Sequence, residues 1–192
     1  MVSGATVDSS ILDVDLAAFE SGGEAARRAV VDGTMQSLAT VFVYVRHDLS
    51  DDLLNDTYGR LADFFALPRE RKDRYTVPGS NGQTGYTGLL VETAAISDVP
   101  DWKEMLNWSA PVPDGHPLRK RFPHRYGDPT LPDEDLPGTT EVLMDFHEAT
   151  LDIQRRVLRI LAVGLGIDEG FFDVMLQDGA ALTRALHYPS MD

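Results

Sequence analysis

The residues able to do chemistry are few in kind. The chain has no cysteine and five histidines: His47, His116, His124, His147 and His187. Without thiols there is no disulfide, no Cys nucleophile and no thiolate metal site. Any metal would need imidazole and carboxylate ligands. The histidines are scattered, and none stands in His-x-Asp, His-x-Glu or HExxH spacing. His147 and Glu148 are adjacent on a predicted helix, so their side chains splay apart. Each histidine reads as a capping, packing or surface residue, and a metal site built from distant ones has no spacing behind it. Nucleophilic catalysis has as little support. No G-x-S-x-G elbow occurs, and Ser80 and Ser109 fall in loops without an identifiable base. There is no Walker A stretch. The glycines from Gly79 to Gly88 lack the strand-to-helix setting that cradles phosphate. They predict a turn that lets backbone approach something closely, or a flexible loop. The run Pro132-Asp133-Glu134-Asp135 predicts a solvated acidic surface. Trp102 and Trp108, flanking Lys103-Glu104, predict a strand or sheet edge packed on the core.

Composition narrows the setting. With 192 residues, 43% hydrophobic and 25% charged, the chain predicts one domain with a real core. A net charge of −14 makes nucleic acid and anionic membrane surfaces poor partners, since both are bound through Lys and Arg. The opening MVSGATVDSS lacks the basic and apolar regions of a secretory signal, and no apolar run approaches the ~18 residues of a membrane span. The expectation is a soluble cytoplasmic protein.

The elements that must position any site follow from periodicity. Residues 1–10 predict a loose terminus, and 11–16 a short half-buried strand. Glu24 to Leu38 predicts a helix with Ala25, Val30, Met35 and Leu38 on one side. Residues 41–45, Val-Phe-Val-Tyr-Val, predict a buried strand. Ser50 then caps a helix with Asp51 and Asp52 in its first turn. Leu54, Tyr58, Leu61 and Phe65 form its stripe, and Pro68 marks its end. Arg69 to Lys72 predicts a short helical turn. Residues 110–138 hold seven of the eleven prolines and predict a long irregular excursion that packs on or covers something. A long amphipathic helix runs from Thr139 or Thr140 to about Val163, with Val142, Phe146, Ala149, Ile153, Val157, Ile160 and Leu161 as its stripe. Gly164 and Gly166 end it, and Asp168 caps a short helix through Met175. Residues 181–189 predict a strand stopped by Pro189.

Several pieces in fixed order resemble the isopenicillin N synthase-like family of non-haem Fe(II) oxygenases, most of whose members depend on 2-oxoglutarate. They are Val14-Asp15-Leu16; Val41-Phe42-Val43-Tyr44-Val45 leading to His47; Phe64-Phe65-Ala66-Leu67-Pro68 with Glu70 and Lys72; Gly85-Tyr86; Asp101-Trp102-Lys103-Glu104; the long helix; and His187-Tyr188-Pro189. The likeness covers about residues 11–192. It departs where the family has glycine, at Val41 before the strand and at Asp48 after His47. The resemblance implies a mixed α/β chain: a helical N-terminal region plus the first strands of a double-stranded β-helix, the jelly roll of this family. Residues 1–192 would form a single N-terminal dioxygenase region.

What the resemblance implies about chemistry is divided. The family's iron ligands, a His-x-Asp pair and a distal His, lie downstream of the strand matching residues 182–189. Its Arg-x-Ser for 2-oxoglutarate comes later still. The catalytic strands are thus expected beyond residue 192, from a missing C-terminal segment or a partner chain, and no catalytic or metal residue is assigned within the chain. Fe(II) and 2-oxoglutarate are expected for the complete enzyme, which would use O2 to hydroxylate, desaturate or cyclise a small molecule. On the last strand Leu182, Arg184, Leu186 and Tyr188 share one face. The resemblance points Tyr188 into the barrel, where its hydroxyl would donate to a carboxylate, with Arg184 adding a charge-assisted bond. The alternative is a core Tyr and a rim Arg. Gln83 and Tyr86 flank the glycine turn where relatives contact substrate, and Gln83 in place of a family Arg implies a substrate other than the penicillin precursor. The competing class is a catalytically inactive binding or interaction domain derived from this fold.

Overall fold

A computed structural model describes residues 12–40, 42–93, 96 and 98–190. The predicted loose terminus, Ile11 and Val41 lie outside them. The order of elements is β1 (Asp13–Asp15), α1 (Leu16–Ser21), α2 (Glu24–Ser37), β2 (Tyr44–Arg46), α3 (Asp51–Phe65), α4 (Arg69–Lys72), β3 (Gly85–Thr87), β4 (Glu104–Trp108), α5 (Pro117–Arg121), α6 (Pro123–Tyr126), α7 (Thr139–Gly164), α8 (Asp173–Leu176) and β5 (Thr183–His187). The chain divides into two compact units. One holds Met1–Leu49 and Thr150–Gly179; the other holds Ser50–Ala149 and Ala180–Asp192. The mixed α/β expectation is met. Among the described residues no helix is long and apolar enough to cross a membrane.

In the first unit β1 and β2 pair in parallel, Val14 opposite Val45. The first strand is shorter than the sequence suggests because Asp15 caps α1, its carboxylate accepting from the Ala18 N–H at 2.9 Å. The core joins Val14, Leu16, Phe19, Val30, Val31 and Ile160. Two expectations are corrected here. Ala25 and Leu38 are exposed, and α2 buries Val31, Thr34 and Ser37 beside Val30. Of the strand expected to be buried over 41–45, the observed β2 covers Tyr44–Arg46, with Phe42 63% and Tyr44 61% exposed. A strand's side chains alternate between faces, so Val43 and Val45 pack on the core while the aromatics face out. An unbroken apolar run does not say whether one face or both are covered.

At the end of α7, Gly166 takes φ +71. Its N–H donates to the Val163 carbonyl and the Ile167 N–H to that of Ala162, the left-handed glycine stop the sequence predicts. Asp168 closes a turn, accepting from the Gly170 N–H at 2.9 Å, but α8 begins only at Asp173, so the predicted cap is a turn instead of a helix start. Asp48, which follows His47, is engaged by α7. Arg156 donates to Asp48 at 2.6 Å and, through two nitrogens, to Glu20 at 2.6 and 2.9 Å. The Arg156 bond holds the Asp48 carboxyl below its usual range.

In the second unit Ser50 caps α3 as predicted, its hydroxyl accepting from the Leu53 N–H at 3.4 Å. The buried stripe is rotated from the predicted one. Thr57 and Phe64 are buried and Tyr58 is 67% exposed. The strands β3, β4 and β5 form an antiparallel sheet in that order, with Tyr86 opposite Leu106 and Leu106 opposite Ala185. One face packs into a core of Phe64, Tyr75, Tyr86, Leu106, Trp108, Leu131 and Leu143. The proline-rich segment does pack: Val112, Tyr126 and Leu131 are buried. Its acidic run is not a solvated surface. Asp135, with its side chain 1% exposed, pairs with Arg71 and accepts from the Tyr75 hydroxyl at 2.7 Å. Asp133 accepts from the Gly138 and Thr140 N–H groups, holding the start of α7. Glu134 alone of the three stays exposed. Backbone donors and Arg71 claim these carboxylates before water does.

Candidate functional site

The two faces of the β3–β4–β5 sheet carry different chemistry. All five residues of β4 are buried. Alternation sends Glu104, Leu106 and Trp108 to the core face and Met105 and Asn107 to the other.

On the core face Glu104 gathers three partners from three elements. Lys72 of α4 donates to both carboxylate oxygens, at 2.9 and 2.7 Å, and to the Phe65 carbonyl at 3.0 Å. The Tyr86 hydroxyl of β3 donates to Oε2. His187 Nδ1 of β5 lies 2.8 Å from Oε1, its ring stacked on Phe65 at 5.0 Å. Burial pushes the Glu104 carboxyl up, but the bonds from Lys72, Tyr86 and His187 outweigh it and leave it below its ordinary value. Burial first, and then Glu104, push the Tyr86 phenol up. An isolated buried carboxylate would be costly; this one is paired and hydrogen-bonded on both oxygens. The network fixes the positions of β3 and β5 against β4.

On the other face Asn107 is fully buried. Its amide donates to the Gly82 carbonyl at 2.6 Å, and its oxygen accepts from Arg184 Nε at 3.1 Å. Asn107 thus ties the glycine turn to β5. Sequence reasoning did not single it out, although an amide between Leu106 and Trp108 in a strand was the available signal. Gly82 takes φ +70 and Gly85 φ +73. A Cβ on Gly85 would lie 2.4 Å from the Tyr75 carbonyl oxygen, so the close backbone approach predicted for this turn is real. Beside the same face opens a cavity of about 710 Å³ lined by Arg69, Asp73, Asn81, Gly82, Thr87 and Met105, among others.

The residues singled out from sequence are distributed as follows. Arg184, Leu186 and Tyr188 alternate with Thr183, Ala185 and His187 and are the exposed set, with Tyr188 64% exposed. Arg184 has no carboxylate partner among the described residues. Tyr86 borders the 710 Å³ cavity, but its hydroxyl is committed to Glu104 on the core face. Gln83 is exposed and borders a second, smaller pocket beside Arg121 and Arg125. Ser80 and Ser109 donate to the carbonyls of Thr84 and Arg125, consistent with hydroxyls that serve structure.

Four of the histidines serve as caps and packing, and His124 is exposed. His47 and His116 accept from the Leu49 and Leu118 N–H groups. His147 is buried, with Nε2 accepting from the Ala110 N–H at 3.3 Å and Nδ1 2.7 Å from the Thr183 hydroxyl. Among the described residues no group of three or more His, Asp or Glu is placed to hold a metal ion. The carboxylate–imidazole pair of Glu104 and His187 already has the Lys72 ammonium where a cation would sit. The residues described here therefore do not fit an iron ion. Arg184 and Tyr188 offer a guanidinium and a phenol, donors that suit a carboxylate.

Comparison with known proteins places this arrangement. Residues 14–134 match the family described as non-haem dioxygenase in morphine synthesis N-terminal, and the chain belongs to that family. A curated relative, the 2-oxoglutarate-Fe(II) type oxidoreductase hxnY of Emericella nidulans, is 30% identical over 131 residues, covering 66% of this chain and 37% of its own length. A full-length protein of Neurospora crassa, solved in complex with alpha-KG, superposes with a TM-score of 0.76 at 26% identity, over 95% of this chain and 55% of the fungal one. A 2OG-Fe(II) oxygenase family protein from Caulobacter crescentus gives a TM-score of 0.74 at 27% identity, over 95% and 57% of the two chains. The chain spans about half the length, or less, of the relatives it matches.

Proposed function

We propose that these 192 residues form one N-terminal region of a non-haem Fe(II), 2-oxoglutarate-dependent oxygenase that acts with O2 on a small molecule in the cytoplasm. The family match over residues 14–134 carries the reading. In it β3, β4 and β5 are the first strands of a jelly roll whose later strands supply the iron ligands. The bound metal and oxo acid would supply the oxidising chemistry; this chain supplies walls. The exposed face of β5 presents Arg184 and Tyr188 to the oxo acid or the substrate. They are four residues apart on extended chain, roughly 13 Å between Cα atoms, so each addresses its own group of a bound ligand. Gln83 and Tyr86 border the substrate side. Asn107 holds Arg184 in place, and Glu104 holds the strands.

Succinate release tests the reading. The complete protein, supplied with Fe(II), 2-oxoglutarate and candidate small molecules in air, is expected to form succinate, faster with a true substrate. A folded, iron-loaded complete protein that forms none, and does not bind 2-oxoglutarate, would instead be an interaction domain derived from this fold.

A further inference from the structure

Residues 115–127 hold Arg119, Lys120, Arg121 and Arg125 and no carboxylate, in a chain of 31 acidic and 17 basic side chains. Arg119 is claimed by Asp114 and Asp128. Lys120, Arg121 and Arg125 have no ion-pair partner among the described residues. Arg121 and Arg125 instead border an open pocket of about 320 Å³ lined also by Ser80, Gln83, Phe122, Pro123 and His124. No carboxylate lines it.

Two details make this pocket more than a charged stretch of surface. Arg125 is held in place: its guanidinium donates to the Ala180 carbonyl, and its own carbonyl accepts from the Ser109 hydroxyl at 2.9 Å. A guanidinium has five N–H donors, and one of Arg125's is committed to the Ala180 carbonyl. Arg121 lies over the Phe122 ring, 5.1 Å from its centroid, which restrains a second fork beside an exposed aromatic face. Two restrained guanidiniums match the paired oxygens of a carboxylate or phosphate. The Phe122 ring and Pro123 offer an apolar floor, and the volume suits a small organic molecule. The chain's net charge of −14 repels anions in general, and that field is screened within about 8–10 Å at ordinary ionic strength. Anion binding here must therefore come from the local donors.

We propose that this pocket binds a small organic anion, a carboxylate or phosphate monoester on an apolar body, with Arg121 and Arg125 on the oxyanion and Phe122 under the body. The proposal goes beyond the oxygenase reading and does not depend on it, because the probes need no turnover. Calorimetric titration of the purified protein with benzoate, phenyl phosphate and inorganic phosphate tests it. Saturable one-to-one binding is expected, and phenyl phosphate against benzoate separates the two oxyanions. Inorganic phosphate reports what the apolar body adds. Arg121→Gln, at an exposed side chain, is expected to weaken binding about tenfold, the loss of one charge-assisted contact. Arg121→Lys, which keeps charge but not the fork, should lose less. Arg28→Gln, an exposed cation in the other unit, should leave binding unchanged. No saturable binding of any probe below about 10 mM, or equal weakening by Arg121→Gln and Arg28→Gln, would overturn it.

Discussion

Glu104 shows how much one residue organises. Its two oxygens bind Lys72, Tyr86 and His187, so its loss strands a buried ammonium and a buried phenol together. Breaking a buried pair by removing one partner costs about 3–5 kcal/mol. Glu104→Gln is expected to fall in that range by urea unfolding, with Lys72→Met costing less, since the remaining carboxylate keeps two donors. A cost under about 1 kcal/mol for Glu104→Gln would place the network on the surface scale. Arg184 and Tyr188 make a separate prediction, which rests on the proposed function. In the complete enzyme, Arg184→Gln and Tyr188→Phe should each raise the KM for 2-oxoglutarate or for the substrate about tenfold, the value of one strong hydrogen bond. Their distance along β5 makes the effects additive. Strong non-additivity in the double variant would mean that both grip one carboxylate.

At the scale of elements the glycine turn is the test piece. Gly85 combines φ +73 with a Cβ position 2.4 Å from the Tyr75 carbonyl oxygen, which is backbone and cannot swing away. Gly85→Ala is expected to cost more than about 2 kcal/mol from conformation and overlap together. Gly59→Ala, with open space on an exposed turn of α3, should be neutral or stabilising by up to about 1 kcal/mol. The denaturation midpoints of the two variants distinguish these outcomes. The same elements show what could be read from sequence. The cap at Ser50, the long helix from Thr139 and the glycine stop at Gly166 depend on neighbours within a few residues, and they were legible. So was the alternation that puts Arg184, Leu186 and Tyr188 on one face of β5. The exposure of Phe42, Tyr44 and Tyr58 was not, because it depends on which face another element covers. The burial of Asp135 and the Glu104 network were not legible either. Their partners lie at separations of 60 residues for Tyr75 and 83 for His187, and no local pattern announces such a pairing. Asn107 stood in view as a polar residue between Leu106 and Trp108, but its role depends on Gly82 and Arg184 arriving from either side.

For the whole molecule two buried groups should contribute to the acid side of the stability curve, in separate pH windows. Burial holds His147 neutral and its pKa below the ordinary 6.5. In that neutral state Nε2 accepts from the Ala110 N–H, so the proton sits on Nδ1 and faces the Thr183 hydroxyl. Adding a second proton would set two N–H groups against each other. A base with a lowered folded-state pKa favours the folded form fully above its unfolded pKa. That contribution fades as pH falls from about 6.5 toward the folded value. Glu104 acts lower down. Its folded pKa lies beneath the ordinary 4.5, so its contribution is complete above that value and is lost as pH falls through the folded pKa. Stability should therefore decline in two stages on acidification, with a slope of no more than about 1.4 kcal/mol per pH unit for each proton taken up. His147→Gln offers the same acceptor and donor without titrating. Urea unfolding of this variant should be flatter than the parent's between about pH 6.5 and 5, while both fall together below about pH 4.5. An unchanged slope in the upper window would mean that a group other than His147 takes up that proton when the protein unfolds.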